Sequence, residues 1–449
     1  MQTPVSGAAA RPMDLRVRRG RCRPQSASMR QSRKRLLRLG LALGGLALAA
    51  AAPDPLLGVS AQDGVGDSHR AAVARWAEWL GRPLADIGHI QDNIFAGDWA
   101  ELESGAAAYF QREENWRGFD EAFKARFELN LPMFPGAAEY GLANEAKWAD
   151  GAAGEFDAHF TRLAENLVAA GFGRAALRLA WEFNGSGGQF PWHVAHGDAA
   201  AQARRTGRFK AYWRRIHAAM SRAGGARFRW VWCPMVSENH AFDPTAAWPG
   251  DAFVDVVSVD FYDTQGEYYW ADPAELAAGR DAFLELRDDR RALRRQFMWD
   301  KWVRGRDYDI GAAAFRAEPP SYRGLEWLYD FARRRGKPFA LSEWGIWPRY
   351  VRLDDGSGPY FSTAPPGRGP AVFGYADSRT QTDNPDFIAR VHAWLKTHPV
   401  AWACYFDVRL ASDLQSPFID HSLSPRPVGG VTASQHPRAA AAYRKLFGR

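Results

Sequence analysis

Cysteine is scarce in this 449-residue chain, which contains only three. Cys22 lies in a basic N-terminal segment, so the rest of the chain keeps Cys233 and Cys404. Two cysteines this far apart in sequence form neither a disulfide framework nor a cluster of metal ligands. The HExxH pattern of zinc hydrolases does not occur either. The sequence therefore predicts no metal and no other cofactor.

Basic charge is also scarce outside the N-terminus. The net charge at pH 7 is +7, but residues 1–51 hold eleven Arg or Lys against one Asp, which leaves −3 for the remainder. Binding of phosphate groups needs clustered basic charge on the folded domain. No glycine-rich phosphate motif follows the first predicted strand. We therefore predict no nucleic-acid partner and no nucleotide chemistry.

A long apolar run occurs at one place, residues 36–52, where it follows a basic run and ends in alanines. This layout is typical of a secretory signal peptide. The alternative is a membrane anchor, but about 17 residues interrupted by Arg38 are at the short limit for spanning a bilayer. We predict cleavage near Ala51 and an exported protein, periplasmic or secreted, without stable membrane insertion. The predicted organisation is a basic leader with signal peptide at 1–51 and one catalytic domain at 52–449.

Strand-like apolar runs alternate with amphipathic helical segments through the remaining chain. The predicted strands are 56–61, 86–91, 127–131, 175–181, 228–233, 254–260, 338–342 and 401–406. The predicted helices include 69–80, 156–170, 209–223, 325–335 and 385–397. Eight such units favour a closed (β/α)₈ TIM barrel over an open doubly wound sheet. Residues 263–338 are too long for a simple crossover, so we predict an insertion between strands six and seven, with a charged helix over 274–304, that overhangs the barrel mouth.

Two carboxylates stand at the ends of predicted strands. Glu182 ends strand four and Glu343 ends strand seven, and the catalytic groups of such barrels lie at the C-terminal ends of strands. Glycosidic cleavage needs this pair, because one carboxylic acid protonates the leaving oxygen while the other carboxylate attacks the anomeric carbon. For either residue alone, a structural salt bridge is the competing interpretation. The pair, flanked by Trp, Asn and Gly, predicts a glycoside hydrolase.

Three segments resemble glycoside hydrolase family 26, whose members are retaining barrel glycosidases. They are RLAWEFNG at 178–185 followed by FPW at 190–192, WPGDAFVD at 248–255 running to VDFYD at 259–263, and SEWG at 342–345. The resemblance covers most of residues 56–410. It implies that Glu182 is the acid/base, that Glu343 is the nucleophile, and that the Tyr262 hydroxyl lies near the nucleophile.

Aromatic residues are abundant, with 19 Trp, 14 Tyr and 27 Phe. Flat indole faces suit the apolar faces of sugar rings, although core packing is equally expected for any single Trp. Arg178 lies four residues before Glu182 on the same strand face and would orient carboxylates, or form a structural ion pair. The candidate substrate-binding residues are Arg178, Trp181, Asn184, Trp192, Trp232, Tyr262, Trp344 and Trp402.

Trp181 departs from the family pattern, because mannan-cleaving members carry His immediately before the acid/base Glu. The expected substrate is therefore a β-linked polysaccharide of open identity: mannan, β-1,3-xylan, glucan or a bacterial exopolysaccharide. The expected activity is retaining endo-hydrolysis. Two alternatives remain: a non-catalytic carbohydrate-binding barrel, and a transglycosylase acting in exopolysaccharide assembly.

Overall fold

The computed structural model describes residues 56–62, 69–94, 97–136, 145–185, 190–236, 242–263, 299, 303–304, 306–309, 314–317, 323–346, 383–412, 416–428, 431–434 and 436–448. All of these belong to one compact unit, Ala51–Arg449. The predicted leader at 1–51 and most of the predicted charged helix at 274–304 lie outside the described residues.

Strands and helices alternate along the described chain. The strands are β1 (Leu56–Gln62), β2 (His89–Asn93), β3 (Phe127–Leu131), β4 (Ala176–Leu179), β5 (Arg229–Trp232), β6 (Val256–Asp263), β7 (Arg306–Asp309), β8 (Ala314–Ala317), β9 (Phe339–Ile346), β10 (Trp402–Ser412), β11 (Ser416–Asp420), β12 (Arg426–Val428) and β13 (Val431–Ala433). The helices are α1 (His69–Leu80), α2 (Trp99–Phe110), α3 (Glu121–Lys124), α4 (Glu145–Ala153), α5 (Asp157–Ala169), α6 (Ala199–Ser221), α7 (Leu325–Arg334), α8 (Pro385–Thr397) and α9 (Pro437–Phe447).

The predicted (β/α)₈ barrel is confirmed. Eight parallel strands pair in the order β1, β2, β3, β4, β5, β6, β9, β10, and β10 pairs again with β1 to close the sheet. The closing pair is long, running in register from Leu56 with Trp402 to Gln62 with Val408. Strand β11 adds antiparallel to the far end of β10. Closure brings the carboxyl ends of all eight parallel strands to one mouth.

Between β6 and β9 lies the predicted insertion, residues 264–338. Its described parts contain the antiparallel hairpin of β7 and β8 and the helix α7. Helix α6 begins ten residues earlier than predicted, because the Asp198 side chain caps it by accepting a hydrogen bond from the Ala201 amide at 2.8 Å. Among the described helices, none is long and apolar enough to cross a membrane.

Two packing layers follow from the alternation of side chains along each strand. The outward faces pack against the helices and form the main apolar core. The inward faces form a smaller apolar cluster of Ala176, Val231, Val256, Ala340, Trp402 and Cys404. The rest of the interior is polar and almost fully buried, and includes Ser60, His89, Gln91, Glu128, Asn130, Arg178, Ser258, Asp260, Ser342 and Glu343. Buried polar groups on this scale need mutual hydrogen bonds, and the groups bound to Arg178 form such a network beneath the mouth.

Candidate active site

Glu182 lies in a tight turn just beyond β4. Ala180 and Glu182 have φ of 48° and 55°, which is the left-handed region that non-glycine residues rarely adopt. The turn is fixed from the next strand, since the Glu182 amide donates to the Cys233 carbonyl at 2.9 Å. Backbone of this kind costs about 1–3 kcal/mol per residue and clusters at functional sites. The strained turn holds the half-buried Glu182 at the barrel mouth.

The Asn184 side chain ties the same turn to the segment after β5. Its amide donates to the Met235 carbonyl at 2.9 Å, and its carbonyl accepts from the Met235 amide at 2.9 Å. Asn184 is only 4% exposed. Both ends of the Asn184 amide therefore position the turn that carries Glu182, and the substrate-binding role of Asn184 stays a prediction.

Glu343 lies within β9, where its carboxylate has two fixed partners. One oxygen accepts a hydrogen bond from the Arg178 guanidinium, and the other accepts one from the Tyr262 hydroxyl. Burial and the negative charge of Glu343 raise the pKa of Tyr262, so its hydroxyl remains a donor. The structure thus places the Tyr262 hydroxyl beside Glu343.

Arg178 projects from β4 into the barrel interior and is fully buried. Its Nε donates to Asn130 Oδ1 at 2.6 Å, and one terminal nitrogen donates to Asp260 Oδ1 at 2.6 Å. Its other terminal nitrogen donates to Glu343. The fork therefore connects β3, β6 and β9 beneath the mouth, which fixes the orientation of two carboxylates at once. Orientation of carboxylates was the role predicted for Arg178.

Asp260, on β6, is a site residue to which the sequence analysis gave no role. One oxygen from each of Glu182, Asp260 and Glu343 lies within 4.8 Å of the others. Asp260 shares an inward strand face with Tyr262, two residues later, and this spacing is the signal that could have identified it. Burial, together with Glu343 and Glu182 and against the effect of Arg178, raises the pKa of Asp260.

The protonation state of Glu182 differs from that of an ordinary carboxyl group. Burial, followed by the negative charge of Glu343, raises the pKa of Glu182 to about 8. Arg178 opposes this shift without cancelling it. Three acidic groups could attract a cation, but the Arg178 guanidinium already binds Asp260 and Glu343. The arrangement is suited to proton transfer from Glu182 and to nucleophilic attack by Glu343.

Aromatic side chains line the mouth beside Glu182. The Trp181 ring lies 4.7 Å from that of Trp192 and 5.1 Å from that of Phe190, and the Arg178 guanidinium lies 5.6 Å from the Trp181 centroid. Trp192 is itself 4% exposed and donates through Nε1 to the Trp181 carbonyl at 2.7 Å. Trp181 therefore presents a half-buried indole to the mouth, while Trp192 supports it from behind.

Three predicted stacking residues are placed elsewhere. Trp232 and Trp344 are 0% exposed and point outward from their strands into the helix-facing core. Trp402 is 2% exposed and points inward, but it belongs to the inner apolar cluster with Cys404 and not to the mouth. No face of these rings is open to a sugar. We correct the stacking role predicted for Trp232, Trp344 and Trp402 to a packing role.

A closed parallel barrel with one glutamate just beyond its fourth barrel strand and another within its seventh, both at one mouth, is typical of barrel glycoside hydrolases. The family model for glycosyl hydrolase family 26 matches residues 176–278 of the chain. This segment runs from β4 through β6 and contains Glu182, Asp260 and Tyr262. Over this segment the chain is similar to glycosyl hydrolase family 26, and the match supports its assignment as a glycoside hydrolase.

Solved structures of mannanases give remote matches. They include a Bacillus subtilis mannanase (13% identity, 88% of this chain and 86% of that chain, TM-score 0.45). A β-mannanase from Bacteroides ovatus matches at 12% identity over 88% of both chains with a TM-score of 0.43. An endo-β-1,4-mannanase from Bacillus sp. JAMB-750 matches at 12% identity, 88% and 87% coverage, and a TM-score of 0.46. The chain has no match among curated proteins. At these scores the substrates of the neighbours do not transfer to this chain.

Proposed function

We propose that this glycoside hydrolase is an exported, retaining endo-enzyme that cleaves a β-linked polysaccharide by double displacement. In this proposal Glu182 is the acid/base and Glu343 is the nucleophile. One observation carries the proposal: carboxylate oxygens of the two residues lie within 4.8 Å of one another. Carboxyl groups of retaining pairs are about 5–5.5 Å apart, whereas those of inverting pairs are ~6.5–9.5 Å apart.

The different environments of the two carboxyl groups support the assignment of roles. A pKa of about 8 keeps Glu182 protonated at neutral pH, as a general acid requires. Hydrogen bonds from Arg178 and Tyr262 hold Glu343 in one orientation, as a nucleophile requires. Pairs of titratable groups with divergent environments are the usual mark of acid and nucleophile assignments.

Trp181 supports a substrate other than mannan. A half-buried indole stands where mannan-cleaving relatives carry His, directly beside the acid/base. An indole face binds the C–H faces of a sugar and offers fewer polar contacts than an imidazole. β-1,3-Xylan, glucan and bacterial exopolysaccharide are therefore the first substrates to test, with mannan as the comparison.

The test is incubation of the purified enzyme with these four polysaccharides, followed by chromatography of the products. We expect internal cleavage of one polymer and β-configured reducing ends in early NMR spectra. The same digestion with an added sugar acceptor distinguishes hydrolysis from transglycosylation. Retention of a polymer on the protein without any new reducing ends would contradict the proposal and favour the carbohydrate-binding barrel.

Export rests on the basic and apolar leader alone. The mature protein is expected to begin within a few residues of Ala52, which intact mass of the extracellular or periplasmic form can measure. A form that keeps residues 36–51 in the membrane fraction would favour the anchor instead.

A further inference from the structure

The strand that carries Glu343 contains one more residue than its neighbours at that level. On β6, Val259 pairs with Leu341 and the next residue, Asp260, already pairs with Glu343. On β10, Ala403 pairs with Leu341 and Tyr405 pairs with Trp344. The extra residue is a β-bulge at Ser342 and Glu343. In a regular strand these adjacent side chains would face opposite sides of the sheet, whereas a bulge re-aims one of them.

Both bulge residues consequently reach groups inside the barrel. Ser342 Oγ donates to Glu128 Oε1 at 2.5 Å, while Glu343 contacts Arg178 and Tyr262. The flanking residues Leu341 and Trp344 belong to the helix-facing core. The direction of the Glu343 side chain therefore depends on the conformation of Ser342.

Ser342 is held at two atoms. Its hydroxyl is bound by Glu128, and its backbone carbonyl accepts from Gln91 Nε2 at 2.9 Å. A bulge disrupts the ladder of backbone hydrogen bonds locally, and Gln91 supplies this carbonyl with a partner from β2. Ser342 and Glu128 are 0% exposed and Gln91 is 3% exposed, so none of the three reaches the mouth.

Glu128 is in turn fixed as an ionised acceptor. Its other oxygen accepts from Trp402 Nε1 at 2.8 Å and lies 3.6 Å from His89 Nε2, and the His89 ring stacks on Trp402 at 4.2 Å. Burial alone would raise the pKa of Glu128, but His89 and the nearby Arg178 hold it below its ordinary value. A buried charged acceptor gives a stronger and more directional hydrogen bond than a neutral one.

We propose that Glu128, Ser342 and Gln91 form a clamp that positions the nucleophile Glu343 from beneath the active site. This inference rests on the proposed function for the identity of Glu343 as nucleophile. The three are positioning residues, because they lie below the mouth and act through the bulge. The clamp also gives Trp402 and His89 a function: they hold the Glu128 carboxylate in place.

The decisive comparison is between Ser342→Ala and Ser258→Ala. Both remove one hydroxyl from a fully buried serine on the inner face of the barrel, but Ser258 on β6 lies outside the clamp. A lost hydrogen bond to a charged group costs about 1.5–3 kcal/mol, which corresponds to roughly 10- to 100-fold in rate. We expect kcat of Ser342→Ala to fall by about that factor with little change in KM, and kcat of Ser258→Ala to stay within about twofold.

Two readouts separate positioning from general instability. Rates are referred to the fraction of enzyme that forms a covalent adduct with a 2-fluoro glycoside, measured by intact mass. The loss in Ser342→Ala should persist after this normalisation and should be equal for polysaccharide and activated aryl glycoside, since both need the nucleophile. Ser342→Thr keeps the hydroxyl and should recover most of the rate. If Ser342→Ala does not fold, Glu128→Gln tests the same contact at constant size and should show a loss in the same direction.

Crystal structures of the parent and Ser342→Ala give a readout that needs no substrate. The clamp predicts that the Glu343 carboxylate shifts away from Arg178 or Tyr262 in the variant. If the carboxylate shifts in the variant but the parent cleaves no polysaccharide of the panel, the proposed function is contradicted. The clamp is supported by the same result. An unmoved carboxylate, with kcat of Ser342→Ala matching that of Ser258→Ala, would overturn the clamp.

Discussion

The two catalytic candidates, Glu182 and Glu343, are the same residue type placed in opposite surroundings. Glu182 follows its strand in a turn with φ of 55°, and its pKa is raised to about 8 by burial and by its neighbour. Glu343 lies inside its strand and accepts hydrogen bonds from Arg178 and Tyr262. Barrel geometry brings them together, but their local partners are different.

The contrast between the two glutamates comes mainly from the fixed partners of Glu343. Glu343 receives fixed hydrogen-bond donors from Arg178 on β4 and Tyr262 on β6, whereas Glu182 is buried with few compensating donors. Arg178 lies on β4, just before the turn that carries Glu182, yet its guanidinium donates its hydrogen bonds to Asn130, Asp260 and Glu343. A carboxylate near a guanidinium normally has a lowered pKa, so the raised pKa of Glu182 depends on Arg178 pointing away to these partners.

Replacing Glu343 by Ala should have the largest effect. It removes the attacking group, so turnover of both polysaccharide and activated aryl glycoside should fall by roughly 10⁴-fold or more. Steady-state rates on both substrates measure the loss. External azide should restore activity on the activated glycoside with inverted stereochemistry, because a small anion fills the space of the carboxylate. Near-normal turnover by this variant would remove Glu343 from the mechanism.

Replacing Glu182 by Ala should have a smaller and selective effect. Polysaccharide cleavage should fall by about 10²- to 10⁴-fold, because the leaving oxygen is no longer protonated. Formation of the covalent intermediate from an activated aryl glycoside needs no acid and should be spared. The intermediate then lacks a base for its hydrolysis, so it should accumulate in intact mass spectra and disappear on addition of azide. Equal losses on the two substrates would mean that Glu182 is not the acid.

Tyr262→Phe tests the surroundings of Glu343. It removes one of the two donors to Glu343 while leaving Arg178 in place. We expect kcat to fall by about 10- to 100-fold on polysaccharide and activated glycoside alike, the cost of one hydrogen bond to a charged group. The matched control is Tyr405→Phe. The Tyr405 hydroxyl donates to the His421 carbonyl at 3.1 Å, and not to either of the two glutamates. A loss confined to polysaccharide would assign Tyr262 to Glu182 instead.

Sequence periodicity was sufficient to predict the barrel, because all eight parallel strands overlap their predicted ranges. Strand β2 begins three residues later than predicted, since Leu84–Asp86 forms a 3₁₀ turn after Pro83. Helices α2, α3, α4 and α9 were not among the predicted segments. Helix α9 contains a run of four alanines and has only three large apolar residues, so its packing against the barrel is evident only in three dimensions.

The sequence analysis identified candidate site residues whose own chemistry marks them. It missed residues whose position depends on the pairing register of the strands. Glu182, Glu343 and Arg178 are charged groups at or near the ends of the predicted strands. Trp344 was misassigned although its neighbour Glu343 faces inward, and simple alternation would have turned Trp344 outward. Asp260 and Ser342 are different, because their roles depend on the pairing of β6 with β9 and on a bulge that no periodicity reveals.

The smallest expected effect is on pH dependence, and it tests the contrast directly. An acid with a pKa of about 8 is protonated, and therefore active, below that pH. The value of kcat/KM on polysaccharide reports on the free enzyme. The ionisation of Glu182 should leave it constant up to about pH 8 and lower it about tenfold per pH unit above that. Glycosylation by an activated aryl glycoside, followed in single turnover, should lack this basic limb because its leaving group departs without a proton.

The raised pKa also affects stability, with a sign that follows from linkage. An unfolded glutamate has a pKa of 4.5 and the folded Glu182 one of about 8. The protonated form is therefore favoured by folding, and the stability it contributes is complete below pH 4.5 and is lost as pH rises through 8. Glu182→Gln cannot ionise, so its melting temperature should exceed that of the parent by a margin that grows between these values. A margin independent of pH, together with a basic limb shared by both substrates, would show that Glu182 ionises like an ordinary carboxyl group and that the two glutamates are not electrostatically distinct.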